Sequence, residues 1–208
     1  MNYALTAAVA VVSYLIGSLS FAVIVSRLMG LNDPRTYGSG NPGATNVLRS
    51  GSKKAAIVTL VLDALKGWLP VWAVLGWGDA YGLGAGAAAL AGFAAFLGHL
   101  YPVFFRFVGG KGVATAAGVL LGISGWLGLA VGLVWLGMAV VFRYSSLASL
   151  TAALAAPLVY VLADGGLWRT QEALGLATAG MAVLLVVRHR ENIVRLWQGK
   201  ESRLGRKA

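Results

Sequence analysis

The sequence GVATAAGVLLGISGWLGLAVGLVWLGMAVVF, residues 112–142, runs for 31 positions without a charged residue. A helix that crosses the hydrocarbon core of a membrane needs about 20 mostly apolar residues, so this stretch is long for one crossing and short for two. A break at Ser124-Gly125 would divide it into a hairpin of two spans. The first would have about 13 residues and a length of roughly 20 Å. Because so short a helix must be shielded by protein, we expect its N-terminal end to lie in a recess.

The whole chain has the composition of a membrane protein. Of its 208 residues, 58% are hydrophobic and only 12% are charged, whereas a soluble domain has about 45–50% apolar and about 25% charged residues. This composition excludes an ordinary soluble enzyme and a disordered chain, and the absence of Cys excludes a disulfide scaffold. We therefore predict one all-α integral membrane domain over residues 1–208.

The remaining apolar stretches give the other predicted spans. The first occupies most of residues 1–26, and its apolar run is longer than the core of a cleaved signal peptide. Four more follow at about 55–75, 82–105, 147–163 and 173–187. With the hairpin of 112–142 the total is seven; with one helix there it is six. The second span contains Asp63 and Lys66 one turn apart, and we expect these charges to pair inside the bundle.

The distribution of basic residues favours seven spans with the N-terminus outside and the C-terminus in the cytoplasm. In that arrangement 15 of the 17 Lys and Arg residues lie on the cytoplasmic side, as the positive-inside rule requires. Six spans would put both termini on one side and turn a basic group outward. The fifteen are Arg27, Arg35, Arg49, Lys53, Lys54, Arg106, Lys111, Arg143, Arg188, Arg190, Arg195, Lys200, Arg203, Arg206 and Lys207.

Three cytoplasmic segments, about 29–54, 105–115 and 188–208, carry unusual polar motifs. The first contains GSGNPGATNVLR, residues 38–49, which we call the first glycine loop. Gly, Pro and Asn permit tight turns whose consecutive N–H groups bind anions. Thr45 and Asn46 add side-chain hydrogen bonds, and Arg49 adds a planar cation suited to phosphate. The alternative is a plain flexible loop.

The second segment contains GGKG, residues 109–112, which we call the second glycine loop, just before the short fourth helix. A helix N-terminus offers free N–H groups and the positive end of its dipole, which suit a phosphate. Gly109, Gly110 and Lys111 are the candidate contacts, although Lys111 alone could be a snorkelling anchor. The motif is not a nucleotide P-loop, because position 105 is Phe and Gly112 follows the Lys. We expect His99 to be a buried, hydrogen-bonded histidine.

The third segment begins with His189-Arg190-Glu191-Asn192. His189 and Asn192 are three positions apart, so they share a helix face that could present two donors to a ligand. For Arg188, Arg190 and Arg195 we favour anchoring to lipid headgroups. Ser145, Ser146 and Ser149 open the sixth span on the same side, where an N-cap role is the alternative for the first two.

The residues that are missing narrow the chemistry. The sequence has no Cys nucleophile, no Gly-x-Ser-x-Gly elbow, and no His, Asp or Glu cluster with the spacing of a metal site. Cationic side chains and glycine-rich backbone that can bind anions are abundant. We therefore expect phosphate-bearing substrates with an activated leaving group, and neither a metal nor a cofactor. Three alternatives remain: a transporter for a phosphorylated metabolite, a structural membrane protein, and a metal-dependent alcohol phosphotransferase, which the missing carboxylates oppose.

These motifs resemble those of the bacterial acyl-phosphate:glycerol-3-phosphate acyltransferase family (PlsY). The resemblance covers essentially the whole chain and the order of its motifs. The matching segments are SGNPGATNVLR at 39–49, GHLYPVF at 98–104, GGKGVAT at 109–115, SLAS at 146–149 and HREN at 189–192.

The resemblance implies transfer of a fatty acyl group from acyl phosphate to the 1-hydroxyl of glycerol 3-phosphate, the first step of phospholipid synthesis. It implies a multi-pass protein of the bacterial inner membrane with a cytoplasmic active site, surrounded by lipid, without nucleic acid, and supplied by a soluble enzyme that makes acyl phosphate. The implied catalytic residues are Ser39, Arg49, Lys111, Ser149, His189 and Asn192. Substrate binding adds Thr45, Asn46, Gly109, Gly110 and Ser146.

Overall fold

The computed structural model of the protein describes residues 2–205, and within that range the chain is helical, with no β-strand. Arg206 and Lys207, which belong to the predicted basic tail, lie outside the described residues. The described helices are α1 (Tyr3–Gly17), α2 (Phe21–Leu28), α3 (Ala44–Leu48), α4 (Lys53–Trp77), α5 (Ala85–Leu100), α6 (Val113–Ile123), α7 (Gly125–Phe142), α8 (Ser145–Leu162), α9 (Glu172–Arg188) and α10 (Arg190–Trp197). Short 3-10 turns follow α4 at Gly78–Tyr81 and α5 at Val103–Phe105.

Helix length and apolarity support the predicted membrane class. Among the described residues, four helices are long and apolar enough to cross a membrane, and the number rises to six if two bent helix pairs each count as one span. The four begin at Lys53, Ala85, Gly125 and Ser145. Large apolar side chains of α7 and α8 are exposed on the surface, among them Val141 at 72% and Leu162 at 83%. Such a surface suits lipid rather than water.

The break predicted at Ser124-Gly125 is confirmed. Helix α6 ends at Ile123 and α7 begins at Gly125, while Ser124 between them has an extended backbone with φ −157° and ψ 130°. Helix α6 has only 11 residues. It packs closely on α4, because a Cβ atom on Gly118 would collide with the carbonyl oxygen of Ala64. Small residues at helix contacts allow this approach.

The first apolar stretch is divided rather than straight. Helices α1 and α2 meet at an angle of 42°, and the carbonyl oxygen of Leu19 in the break accepts a hydrogen bond of 2.7 Å from Lys66 Nζ. The predicted pairing of Lys66 with Asp63 is confirmed at 2.7 Å, with both side chains buried. His99 is buried as predicted, but its Nδ1 lacks the expected hydrogen bond, since the nearest carboxylate oxygen, Asp63 Oδ1, is 3.6 Å away. Through its hydrogen bond to Leu19, the buried Lys66 stabilises the break between α1 and α2.

Candidate functional site: a polar cluster at the helix ends

The first glycine loop is organised by one buried amide, that of Asn46. Its Oδ1 accepts hydrogen bonds from the backbone N–H of Ser39 at 3.0 Å and from Arg49 Nη1 at 3.3 Å. Its Nδ2 donates to the carbonyl oxygens of Pro34 at 2.6 Å and Tyr37 at 3.1 Å. Both ends of the amide are thus bonded within residues 34–49, so Asn46 shapes the loop and brings Ser39 and Arg49 together.

The other candidate contacts of this loop, Ser39, Thr45 and Arg49, are exposed. The hydroxyls of Thr45 and Ser145 lie 3.3 Å apart, which joins the loop to the N-terminus of α8. Arg49 Nη2 donates to the hydroxyl of Ser202 at 2.6 Å. The loop therefore faces both α8 and the chain that follows α10.

The second glycine loop is buried between α5 and α9. The N–H of Gly110 donates to the carbonyl oxygen of His99 at 3.1 Å. Gly112 has φ +86°, a left-handed conformation that side chains disfavour, and a Cβ atom there would collide with the Phe96 ring. Lys111 extends from this loop and donates to Asn192 Oδ1 of α10. Gly109, Gly110 and Gly112 are buried, so protein shields the N-terminal end of the short helix, and the recess expected there stays a prediction.

The carboxylate of Glu201 joins several of these groups. Its Oε1 accepts hydrogen bonds from Asn192 Nδ2 at 2.6 Å and from Ser146 Oγ at 2.7 Å. Its Oε2 accepts one from Arg195 Nε at 2.7 Å. These bonds fix the Asn192 amide with its oxygen toward Lys111.

His189 lies in the break between α9 and α10 and is 3% exposed. Its Nδ1 is 2.8 Å from the carbonyl oxygen of Leu185. Because a carbonyl can only accept, Nδ1 carries the proton, and Nε2 of the neutral ring is an acceptor. His189 therefore offers an acceptor where a donor was expected, while Asn192 uses one N–H on Glu201 and its oxygen on Lys111 and keeps a second N–H.

Electrostatics divide the site into neutral and charged groups. Burial lowers the pKa of His189 to about 4, so the imidazole is neutral near pH 7. Burial, then the Arg195 charge, lowers the pKa of Lys111 to about 8, so the amine is mainly protonated there. Hydrogen bonds from Arg195, Asn192 and Ser146 outweigh the burial of Glu201 and lower the pKa of that carboxyl.

The serines of α8 have different surroundings. Ser146 is buried and bonded to Glu201. Ser149 is also buried, but its hydroxyl donates to the carbonyl oxygen of Ser145 at 2.8 Å and accepts from Trp135 Nε1 at 3.1 Å. The structure therefore brings Ser146, and not Ser149, into hydrogen-bond contact with the residues around Lys111.

Sequence reasoning missed three participants. Glu201 and Ser202 lie in a polar tail with no motif, and only the resulting contacts reveal them. Arg188 was assigned to lipid headgroups, but it donates to the carbonyl oxygens of Gly109 and Gly110. No group of three His, Asp or Glu side chains within residues 2–205 is arranged to hold a metal ion.

The fold and the site define a class: an all-helical integral membrane protein with a cationic, glycine-lined site at its helix ends. The glycerol-3-phosphate acyltransferase family profile matches residues 7–199. The chain is 65% identical over 201 residues to the glycerol-3-phosphate acyltransferase of Albidiferax ferrireducens, covering 97% of this chain and 90% of that one. With the enzyme of Ralstonia nicotianae, identity is 62% over 202 residues, covering 97% and 95%. The chain belongs to the glycerol-3-phosphate acyltransferase family, as the motif resemblance predicted.

Two solved structures share the fold. Both are of PlsY (YgiH), described as an integral membrane glycerol 3-phosphate acyltransferase, one in its glycerol 3-phosphate form and one in its lysophosphatidic acid form. The first has a TM-score of 0.87 and 40% identity, and the match covers 96% of each chain. The second has a TM-score of 0.85 at the same identity, and the match covers 96% of this chain and 95% of the other.

Proposed function

We propose that this protein transfers a fatty acyl group from acyl phosphate to the 1-hydroxyl of glycerol 3-phosphate, giving 1-acylglycerol 3-phosphate and phosphate. The observation that carries the proposal is Lys111, a largely protonated amine of the second glycine loop that Asn192 holds just before the N-terminus of α6. Such a group suits a phosphate. The relatives are named for acyl transfer to glycerol 3-phosphate, which supports the acceptor.

The choice of acyl phosphate as donor follows from the chemistry that the site offers. Acyl phosphate is a mixed anhydride with a good leaving group, so a protein nucleophile is unnecessary. Two substrate phosphates in one site repel each other, and Arg49, Lys111 and the glycine backbone offset that repulsion. We assign Thr45, Gly109, Gly110 and Lys111 to the acyl phosphate.

Glycerol 3-phosphate takes the other side of the site in this proposal, beside Arg49, His189 and Asn192. The Nε2 acceptor of His189 suits a glycerol hydroxyl, since a phosphate would need a donor. Ser39 positions the hydroxyl or a phosphate. Ser146 is the serine of α8 whose hydrogen bond to Glu201 supports a place at the substrate; the role of Ser149 stays a prediction. We assign Asn46 to positioning Ser39 and Arg49.

The reaction in this proposal is a direct displacement. The 1-hydroxyl oxygen attacks the carbonyl carbon of acyl phosphate, the bond from that carbon to the phosphate oxygen breaks, and phosphate leaves with the electron pair. A substrate phosphate oxygen accepts the hydroxyl proton. The low pKa of His189 supports this route, because an imidazole with a pKa of about 4 is a weak base. Positioning and charge stabilisation supply most of the rate.

The proposed topology has seven crossings of a bacterial inner membrane, with the N-terminus outside and the site on the cytoplasmic side. In this proposal the bent pair α1–α2 is the first span, the short α6 is the fourth and α9 is the last, while α10 lies at the cytoplasmic face with the site. Acyl phosphate then reaches the site sideways from the bilayer, while glycerol 3-phosphate arrives from the cytoplasm. This arrangement can be tested with single cysteines introduced before α1 and after α10. Each cysteine is labelled with a reagent applied to one side of the membrane and then to the other.

The decisive experiment is a turnover assay with purified protein and labelled glycerol 3-phosphate. Acyl phosphate, acyl-CoA and acyl carrier protein are compared as donors. We expect labelled 1-acylglycerol 3-phosphate from acyl phosphate alone. Product from either of the other donors would refute the donor assignment, and an acyl group trapped on a serine would refute the direct displacement. Uptake into proteoliposomes without product would favour a transporter.

A further inference from the structure

Arg188, the last residue of α9, holds the backbone of the second glycine loop from one side. Its Nη2 donates to the carbonyl oxygens of Gly109 at 2.9 Å and Gly110 at 3.1 Å, and its Nε donates to Gly110 at 3.3 Å. The guanidinium carbon also lies 5.5 Å from the centre of the Tyr101 ring. Three hydrogen bonds and a cation–π contact fix this side chain against protein.

The end of α5 holds the same loop from the other side. The Gly110 N–H donates to the His99 carbonyl oxygen at 3.1 Å. A Cβ atom on Gly109 would collide with the carbonyl oxygens of His99 and Leu100, so the two backbones are in direct contact. The glycines are therefore clamped between Arg188 and α5.

This clamp sets the direction of the peptide groups. In a planar trans peptide the C=O and the following N–H point in opposite directions. The Gly109 carbonyl faces Arg188, and the Gly110 N–H accordingly faces His99. By the same geometry, the Gly110 carbonyl faces Arg188 and turns the Lys111 N–H away from that cation. The Lys111 N–H then opens away from Arg188 beside the first turn of α6, where N–H groups have no partner within the helix.

We propose that Arg188 is a positioning residue that holds the carbonyls of Gly109 and Gly110 away from the bound phosphate and so keeps the second glycine loop in its anion-binding form. Without Arg188, a rotated peptide group would present a carbonyl oxygen to the phosphate, which would repel it. This role differs from headgroup anchoring, for which any cation at the helix end suffices.

The substitution Arg188→Lys tests this difference, because it keeps the positive charge and removes the planar guanidinium. A guanidinium is a planar fork that donates to two carbonyls and stacks on a ring, whereas an ammonium is a point charge on a flexible stem. Headgroup anchoring therefore predicts that Arg188→Lys keeps its activity and that Arg188→Gln loses it. A positioning role predicts that both variants lose activity. Arg190, exposed and two residues further on, supplies matched control variants with the same substitutions.

The inference rests on the proposed function, so the steady-state experiment uses the donor that the wild-type protein accepts. We expect Arg188→Lys and Arg188→Gln each to lose about tenfold or more in kcat/KM, because the loop loses the charge-assisted hydrogen bonds that fix its peptide groups. The loss should include a raised KM for the substrate whose phosphate the loop binds, acyl phosphate under our assignment. The KM for the other substrate and the Arg190 variants should stay within about twofold of wild type.

Several results would overturn the inference. Wild-type kinetics in Arg188→Lys would restore headgroup anchoring. A fall in folded protein at unchanged kcat and KM would make the role merely structural, and thermal unfolding of each variant in detergent measures that fraction. An equal rise in both KM values would also contradict a role specific to one phosphate.

A second measurement separates failure of this inference from failure of the proposed function. Inorganic phosphate should protect the Lys111 amine from an acylating reagent in the wild type and in Arg190→Lys, and should give no protection in Arg188→Lys. This readout requires no turnover. Absence of product with every donor would refute the proposed function, whereas equal protection in wild type and Arg188→Lys would refute the role of Arg188.

Discussion

The first glycine loop takes its shape from its own residues and those just before it, whereas the second takes its shape from distant parts of the chain. In the first, the buried amide of Asn46 bonds to four groups within residues 34–49. In the second, the contacts come from His99 on α5, Arg188 on α9 and Asn192 on α10. The first loop is exposed over much of its length and the second is largely buried.

The difference shows how one site can combine a local and a non-local design. A loop stabilised from within can face water and admit a soluble substrate. A loop stabilised from outside depends on the packing of three helices, so its shape forms only when the bundle is complete. We therefore expect mutations near the second loop to affect catalysis most, and mutations at the edge of the first loop to affect it least.

The largest effect is expected for Lys111→Ala, which removes the cation of the second loop. Removing one preorganised charge-stabilising group typically costs about 10²–10³ in rate. Turnover of labelled glycerol 3-phosphate measures the loss, and Lys54→Ala, which removes an exposed lysine at the start of α4, is the control. Undiminished turnover in Lys111→Ala would refute the site.

The next effect is expected for Asn46→Asp, which keeps the size of the side chain and removes its donors. The carbonyl oxygens of Pro34 and Tyr37 then face a carboxylate instead of an N–H group. Leaving buried polar groups unpaired costs about 1–3 kcal/mol, so we expect turnover to fall by between about fivefold and about 150-fold. The same change at exposed Asn32 is the control; equal effects at both sites would contradict the internal design of the first loop.

A change in the pH profile is expected for Glu201→Gln. Lys111 is charged below its pKa of about 8, so kcat/KM should fall as pH rises through about 8. The carboxylate of Glu201 raises the pKa of Lys111, so its removal should move this fall to lower pH. The other charged and titratable groups around Lys111 are Arg195, Glu191, Arg188 and His189.

The matched variant for the pH experiment is Glu191→Gln, because Glu191 acts on Lys111 in the same direction but its side chain is 76% exposed. Solvent screens the exposed carboxylate, so its removal should move the profile less. A profile that is identical in the wild type and Glu201→Gln would mean that Lys111 does not govern the alkaline limb.

The smallest effect is expected for Ser202→Ala, which removes the hydrogen bond from Arg49 to the tail. An exposed hydrogen bond contributes about 0.5–1.5 kcal/mol, and a substrate phosphate would replace it, so kcat/KM should change by no more than about threefold. A loss as large as that of Lys111→Ala would show that the first loop, too, depends on outside contacts.

Several features of the fold could be predicted from the sequence because they depend on local composition. The lengths of the apolar stretches predict where the long helices lie, and the Ser124-Gly125 pair within an uncharged run predicts the end of α6. The sequence motifs identify Lys111 and Asn192, but they do not predict that the two side chains contact each other. The break between α1 and α2 also went unpredicted, because a carbonyl freed there is satisfied by Lys66 from another helix.

The sequence by itself determined a helical membrane protein, the order of its polar motifs and the family to which they belong, since hydropathy and motif spacing are properties of neighbouring residues. Only the tertiary structure decided that Arg188 bonds to the second glycine loop, that Glu201 orients Asn192 and that His189 presents an acceptor. The Arg188 contacts join residues 78 and 79 positions apart, and that of Arg49 with Ser202 spans 153. Such partners are chosen by the packing of helices, which no local pattern encodes.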